Sequence, residues 1–227
     1  MAMAVQATTR APKGYKGIAM EGAIAAWYTR NTRSRIGEQR ALAERISARV
    51  PRGGRVLEVA PGPGYLSLEL AKLATCRVSG LDISRTFVEI ERRNAREAGV
   101  DVDYRLGDAT IMPFDDGTFD FAVCVAAFKN FTQPRRVIEE LHRVLRPGGT
   151  ALIVDLRRDA SRQDIDAEVE RMRLGPVNAM LTRGAFRGML LRNAYTPAEM
   201  ETLVAQTSFG TCRIERDNIG MEIELTK

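Results

Sequence analysis

A doubly wound α/β domain, with a mostly parallel sheet and helices on both faces, is what this sequence predicts. Three observations carry that expectation. Apolar runs of strand length alternate with helical stretches from Arg55 to Leu156. A turn bearing Gly62 and Gly64 joins the first run to the helix after it. An acid, Asp82, closes the second run.

The first run, Arg55 to Val59, reads as a buried strand, because Val56, Leu57 and Val59 are apolar and Gly53 and Gly54 mark its start. Leu66, Leu70 and Leu73 then recur at helical spacing. Glycines in the intervening turn let the backbone bend sharply and let a ligand press on the main chain. Gly62-x-Gly64-x-x-Ser67 is a near match to a dinucleotide fingerprint. The prolines oppose that reading, since Pro61 and Pro63 have no N–H to offer, whereas a pyrophosphate needs convergent N–H donors at a helix start. A ligand without phosphates, such as S-adenosylmethionine, suits the loop better. A plain glycine turn is the bland reading.

Residues 1–10 are expected to be loosely held. Six Lys/Arg and one acid, Glu21, lie between Arg10 and Arg35. Gly17 to Tyr28 is expected to be helical, with Met20, Ile24, Trp27 and Tyr28 on one side. Trp27 reads as a core anchor or as a wall over a cofactor. Arg40 to Val50 is a second amphipathic helix, ended by Pro51 and Gly53.

Arg77 to Ile83 is the second strand, and Asp82 at its end is placed to accept hydrogen bonds from both hydroxyls of a ribose. Ser84 is available to cap the helix over Thr86 to Glu97, which frees Asp82 from that duty. Val102 to Leu106 is a third strand, followed by Gly107-Asp108-Ala109. There a carboxylate can accept from an adenine amino group while a backbone N–H serves a ring nitrogen. The fourth strand, Phe119 to Phe128, is apolar almost throughout. Lys129-Asn130-Phe131 follows its carboxyl end, where open α/β sheets place their chemistry. Pro134 starts another helix, and Arg146-Pro147-Gly148-Gly149 turns the chain into a fifth strand, Thr150 to Leu156.

Residues 157–194 have the look of an insertion. Ser161 with Asp164 makes a capping box, and Gly175-Pro176 separates two helices. Arg171 to Ala198 holds five arginines and no acid. Thr196-Pro197-Ala198-Glu199 is a second helix start. Cys212 to Glu215 and Met221 to Thr226 alternate as the strands of a hairpin, with Asp217-Asn218 in its turn.

Length and composition exclude several classes. At 227 residues, 44% hydrophobic and 28% charged, the chain suits a single globular domain over 1–227. Residues 1–35 form an N-terminal cap segment of that domain and 157–194 a helical lid. The longest apolar run, Phe121 to Phe128, is too short to span a membrane, and Met1 to Lys13 shows no secretory signal. Cys76, Cys124 and Cys212 are widely spaced and His142 is the one histidine, so no metal site is expected. Reduced cysteines point to the cytoplasm. The net charge of +5 and the pI near 9.4 hint at anionic partners.

Five motifs now stand in order: Glu58-x-Ala60-x-Gly62-x-Gly64, Gly80-Leu81-Asp82-Ile83-Ser84, Gly107-Asp108-Ala109 with Met112-Pro113-Phe114, Phe119-Asp120, and Leu145-Arg146-Pro147-Gly148-Gly149. Together they resemble the class I S-adenosylmethionine-dependent methyltransferases of the small-molecule type. The resemblance covers Arg40 to Leu156. It implies a Rossmann-like seven-stranded sheet with an antiparallel last strand, a helical lid over the carboxyl edge, and S-adenosyl-L-methionine as cofactor. It places Tyr28, Glu58, Ala60, Gly62, Gly64, Asp82, Ile83, Asp108, Ala109 and Ala126 around that cofactor. Two departures stand out. The family usually has glycine at the Ala60 position and a residue other than proline at Pro61. After the fourth strand this chain has Ala127-Phe128-Lys129-Asn130 where many relatives carry paired histidines or an aspartate, so no catalytic residue transfers there. The Asn/Asp-Pro-Pro-aromatic motif of nucleic-acid amino-methylating relatives is also absent, which disfavours a nucleic-acid substrate.

The arginine-rich tract suggests a small anionic acceptor, such as a phosphate, an isoprenoid diphosphate or a carboxylate compound. Arg157, Arg183, Arg187 and Lys129 would hold its charge, with Trp27, Phe128 and Asn130 around its body. Glu21 and Tyr195 are candidates to remove a proton. An RNA-binding or RNA-methylating protein on the same fold is the main alternative, and an NAD-dependent oxidoreductase the weaker one. The pattern leaves the oligomeric state open, a dimer included.

Overall fold

The computed structural model describes residues 14–16, 20–33 and 36–227. The expectations for residues 1–10 and for a helix beginning at Gly17 lie outside the described residues. The first five strands are β1 (Arg55–Val59), β2 (Arg77–Asp82), β3 (Asp103–Leu106), β4 (Phe119–Val125) and β5 (Leu145–Leu156). The hairpin strands are β6 (Arg213–Asp217) and β7 (Gly220–Thr226). They form one seven-stranded sheet in the order β3-β2-β1-β4-β5-β7-β6. Every neighbour pair from β3 to β5 is parallel, and β7 is antiparallel to β5 and to β6. The strand order reverses at β1 and β4, which opens a crevice at their carboxyl ends.

Helices α1 (Gly22–Thr32), α2 (Ile36–Ser47), α3 (Tyr65–Lys72), α4 (Arg85–Ala98), α5 (Pro134–Val144), α6 (Arg162–Arg171), α7 (Pro176–Ala185) and α8 (Pro197–Val204) complete the described residues. Successive residues of a strand face opposite sides of the sheet and enter different clusters. Leu57 and Val59 of β1 face α5 and α8, in a cluster with Ile138, Leu141 and Met200. Val56 faces α2 and α3, with Ile46, Leu66, Leu70 and Phe121. Truncating a residue such as Phe121, buried between strand and helix, costs about 3–5 kcal/mol.

The limits of β4, β5 and β6 and the placement of Trp27 differ from the sequence reading, each for a local reason. The fourth strand ends at Val125, and Phe128–Asn130 forms a 3-10 turn instead of continuing it. Ala126 adopts φ +56°, which swings the chain out of the sheet while its N–H still bonds the Val154 carbonyl at 2.7 Å. The fifth strand starts at Leu145, which pairs with Phe119; Thr150 then pairs with Phe121, so Arg146 to Gly149 bulges out of the strand rather than preceding it. Asp217 belongs to β6, leaving the hairpin turn to Asn218 and Ile219. Trp27 is 59% exposed, because the one buried residue of α1 is Ala25; it is not a core anchor.

Both capping boxes form as expected, at Ser161–Asp164 and Thr196–Glu199. In the insertion, α6, α7 and a π-helical turn at Phe186–Leu190 gather around Ile165, Val169, Phe186 and Leu191. Ile219, from the hairpin turn, joins that cluster. The insertion therefore packs on the β5–β7 side of the carboxyl edge. Arg157 ties the two parts together by donating to the Asn218 carbonyl and pairing with Asp159 and Asp164.

Candidate active site

The corner after β1 is held by carboxylates that reach across from other elements. Gly64 is the N-cap of α3 and has no side chain with which to cap it. Glu58 does that work from the strand beneath, accepting hydrogen bonds from the Ser67 N–H at 2.8 Å and from the Ser67 hydroxyl. Burial pushes the Glu58 carboxyl up to about 7, against the pull of the two Ser67 bonds. Gly64 itself sits at φ +77°, and a Cβ there would come within 2.6 Å of the Tyr104 hydroxyl oxygen. Glycine is demanded by backbone and neighbour alike.

Asp82 closes the loop from the other side. One carboxylate oxygen accepts from the Ser84 N–H at 2.8 Å and the other from the Gly62 N–H at 3.2 Å. Ser84, not Asp82, caps α4, through the Phe87 N–H. Burial raises the Asp82 carboxyl to about 6, although its backbone bonds oppose the rise. Each of its oxygens keeps room for a further donor. The remaining N–H groups of the loop are all engaged: Ala60 with the Leu81 carbonyl at 2.8 Å and Gly64 with that of Pro61 at 3.1 Å. Pro61 and Pro63 have none. No donor from 60 to 64 is left for a pyrophosphate.

Behind the loop, Glu91 of α4 is fully buried and neither carboxyl oxygen finds a hydrogen-bond partner. Burial, followed by the charges of Asp82 and Glu58, pushes it up to about 10, so it is neutral near pH 7.

Ala60 and Ala126 end the adjacent parallel strands β1 and β4, and both have φ +56°. Left-handed backbone at a residue with a Cβ is uncommon and costs about 1–2 kcal/mol. Two such turns side by side mark the crevice as a place where geometry is held at the expense of stability. Tyr28 lies across this mouth, with its ring edge 3.8 Å from where a Cβ on Gly62 would stand. Its ring also meets Phe87 edge-on at 6.1 Å. Further along the rim, Gly107 donates to the Asp82 carbonyl at 2.9 Å, which sets Asp108 and the buried Ala109 beside the β2 end. Asp108 accepts from the Thr110 N–H at 2.8 Å. Ile83, next after Asp82, is half-buried.

On the β4–β5 side, Phe128 is buried and meets Phe131 at 5.7 Å and Tyr195 at 5.9 Å. Lys129 does not project freely into the crevice. Its ammonium donates to Asp155 at 2.7 Å and to the Ala126 carbonyl at 2.7 Å, and its backbone N–H donates to the other Asp155 oxygen at 2.9 Å. Asn130 presents its carbonyl to the Lys16 N–H at 2.6 Å.

Two residues of this site were not singled out in the sequence. Asp155 had a signal, as an acid near the end of the otherwise apolar β5. Tyr15 had none. The segment 14–16 pairs with 130–132: Tyr15 bridges Phe131, and the Gly14 carbonyl accepts from the Thr132 N–H at 3.2 Å. Burial raises the Tyr15 phenol, and Tyr28, Asp82 and Asp155 raise it further, so its hydroxyl lies within the field of both acids. Gly14 approaches Asp108 so closely that a Cβ there would meet a carboxylate oxygen at 2.7 Å.

Several expected roles need correcting. Glu21 is engaged as a second cap of α4, accepting from the Arg85 and Thr86 N–H groups at 3.1 Å and from the Thr86 hydroxyl. Partial burial notwithstanding, those bonds hold its carboxyl below the usual range, so it is a poor base. Tyr195 has its phenol raised, first by burial and then by Glu199 and Asp155, and is a donor at neutral pH. Arg183 bonds Asp166 at 2.7 Å, and Arg187 approaches the same carboxylate at 3.7 Å. With Arg157 also paired, none of the three presents a free guanidinium. Trp27, exposed on α1, belongs to no described contact with the crevice.

Among the described residues no cluster of His, Cys, Asp or Glu could hold a metal, and no helix is long and apolar enough to cross a membrane. Residues 57–153 match the family model of the methyltransferase domain. The demethylmenaquinone methyltransferase of Thermus thermophilus is 36% identical over 102 residues, 44% of this chain and 46% of that protein. The ubiquinone biosynthesis O-methyltransferase of Xanthomonas axonopodis pv. citri is 33% identical over 117 residues, 51% of this chain and 48% of that protein. The chain thus spans about half the length of the curated relatives it matches. A crystal structure of a SAM-dependent methyltransferase from Aquifex aeolicus superposes with a TM-score of 0.61 at 18% identity, covering 81% of this chain and 88% of that one.

Proposed function

We propose that this chain is a class I S-adenosylmethionine-dependent methyltransferase that transfers a methyl group to a small-molecule acceptor whose reactive part is a ring-hydroxylated, quinol-like compound. The observation that carries the cofactor half is the corner itself: a buried carboxylate with open lone pairs faces a loop whose N–H groups are all taken. That is a site for a ribose without a pyrophosphate, and it argues against a nicotinamide cofactor. When bound, the cofactor supplies an electrophilic methyl on a sulfonium.

In this reading Asp82 accepts from the ribose hydroxyls, Asp108 from the adenine amino group, and the Ala109 N–H serves a ring nitrogen. Ile83 and Tyr28 close on either side, while Glu58 fixes the loop that carries Ala60, Gly62 and Gly64. Phe128 and Tyr195 give the acceptor an apolar wall, and the Lys129–Asp155 pair with Ala126 sets its edge. Methyl transfer in such a site needs positioning and exclusion of water more than acid–base work.

The acceptor class is supported by the relatives, named for demethylmenaquinone and ubiquinone biosynthesis. It is supported also by the engaged state of Glu21 and the protonated state of Tyr195. With neither residue free to take a proton, the acceptor's ring hydroxyl, a phenol of ordinary pKa about 10, reacts through the ionised fraction it reaches by itself in water. The anionic character expected of the acceptor then resides in its own oxygen rather than in a phosphate.

Calorimetry with S-adenosylhomocysteine tests the cofactor half. Asp82→Ala should weaken binding well over about tenfold, since two ribose hydroxyls lose their acceptor. Unchanged affinity sinks the assignment. Incubation with S-adenosylmethionine and a panel of reduced, ring-hydroxylated quinols, read by product mass, tests the acceptor. Methylation of phosphorylated isoprenoids instead, with the quinols untouched, would overturn that half alone.

A further inference from the structure

The second helix of the insertion has no partner on its outer face. No residue of α7 is buried. Val177, Met180 and Leu181, at i, i+3 and i+4, share one side of the helix and are 67%, 65% and 62% exposed. Single exposed apolar residues are ordinary, but three large ones on one helical face are not.

Arginine predominates in the chain around this face, and Asp166 is the acid that Arg183 and Arg187 meet. The run from Arg171 to Ala198 holds five arginines and no acid. Beside the π-helical turn that ends α7 lies an open cavity of about 540 Å³, lined by Arg158, Arg162, Arg187 and Arg192 over Ile165 and Leu191. Glu199 partly neutralises Arg158, and Asp166 lies 3.7 Å from Arg187. Among the described residues no hydrogen bond or ion pair engages the side chain of Arg162 or Arg192.

We propose that α7 and the arginine cavity dock the protein on an anionic phospholipid bilayer. Val177, Met180 and Leu181 enter the boundary between headgroups and acyl chains, and the guanidiniums of Arg162 and Arg192 take lipid phosphates. An aliphatic face bordered by arginines is the composition of a helix that lies in the plane of a membrane surface. The guanidinium fork matches phosphate oxygens. RNA would match the charge and leave the aliphatic stripe without a partner, since single-stranded RNA stacks on aromatic faces. The proposal does not depend on which acceptor is methylated, and vesicle binding requires no cofactor.

The test is co-sedimentation of the full chain with vesicles of phosphatidylcholine alone or mixed with phosphatidylglycerol. Binding to the mixed vesicles only, weakening with salt, is the expected result. Arg162→Ala with Arg192→Ala should lower the partition coefficient about 30-fold, from a roughly fivefold loss per arginine. Met180→Asp with Leu181→Asp should abolish binding. Both pairs are to keep the S-adenosylhomocysteine affinity of the parent, which reports an intact fold. Equal binding to neutral vesicles, no binding to either kind, or full binding by the Met180/Leu181 variant would each overturn the proposal. So would capture of an RNA oligonucleotide by a chain that ignores vesicles.

Discussion

The glycine corner and the helical insertion hold themselves together by opposite means. In the corner, buried Glu58 and Asp82 bond backbone N–H groups of distant turns. In the insertion, Arg183–Asp166 joins α7 to α6 and Arg171–Glu168 braces α6 along its own length, pairs with one or both partners in water. A buried carboxylate that loses its donors bears a desolvation cost of several kcal/mol, whereas an exposed pair is worth at most about 1 kcal/mol. The corner is thus a rigid frame, and the insertion a surface free to diverge while the frame stays put.

That contrast can be broken most easily at Gly64. Gly64→Ala combines a left-handed residue with a contact of 2.6 Å to Tyr104, and should destabilise by about 3 kcal/mol in urea unfolding. A loss below about 1 kcal/mol would mean that the corner yields as readily as the insertion.

Glu91 sharpens the comparison through pH. Its carboxyl lies near 10 in the folded chain, against a reference value of 4.5. The folded form therefore holds a proton that the unfolded form releases. Its stabilising contribution is complete below the ordinary carboxyl range and is lost as pH rises toward 10. The slope from this one group is at most about 1.4 kcal/mol per pH unit. Glu91→Gln, neutral at every pH, should flatten the decline in melting temperature between pH 6 and 9. An identical decline in both proteins would show that the buried carboxyl does not govern it.

The smallest effect is expected in the insertion. Arg183→Ala with Arg187→Ala removes both partners of Asp166, yet should change stability by less than about 1 kcal/mol. A loss of 2 kcal/mol or more would place α7 inside the cooperative frame.

Much of the fold was legible because its signals are local. Strand periodicity, the two capping boxes and the Gly-rich turn each occupy a few consecutive residues, and the structure forms them where the pattern lies. Asp82 was legible for the same reason: Ser84 stands ready two positions on to take the cap. What escaped depends on residues far apart in the chain. Glu58 as a cap needs strand and helix side by side, and Tyr15 needs residues 130–132 across its path. The engagement of Arg183 by Asp166 depends on how α6 meets α7, which helical periodicity does not specify. The positive φ of Ala60 belongs to the turn and is invisible in the letters.

The insertion of β7 between β5 and β6 has a consequence for how the chain is made. A ribosome completes β5 at Leu156, but the strand that covers its outer edge begins only at Gly220. Until then Ala151 and Ile153 lie along an unpaired edge while α6, α7 and α8 emerge. The anchor that Arg157 needs, the Asn218 carbonyl, is equally late. Any sheet formed before the hairpin leaves the β5 edge uncovered, and an uncovered edge is open to pairing with another chain. The hairpin is thus the clasp that closes the open edge of β5.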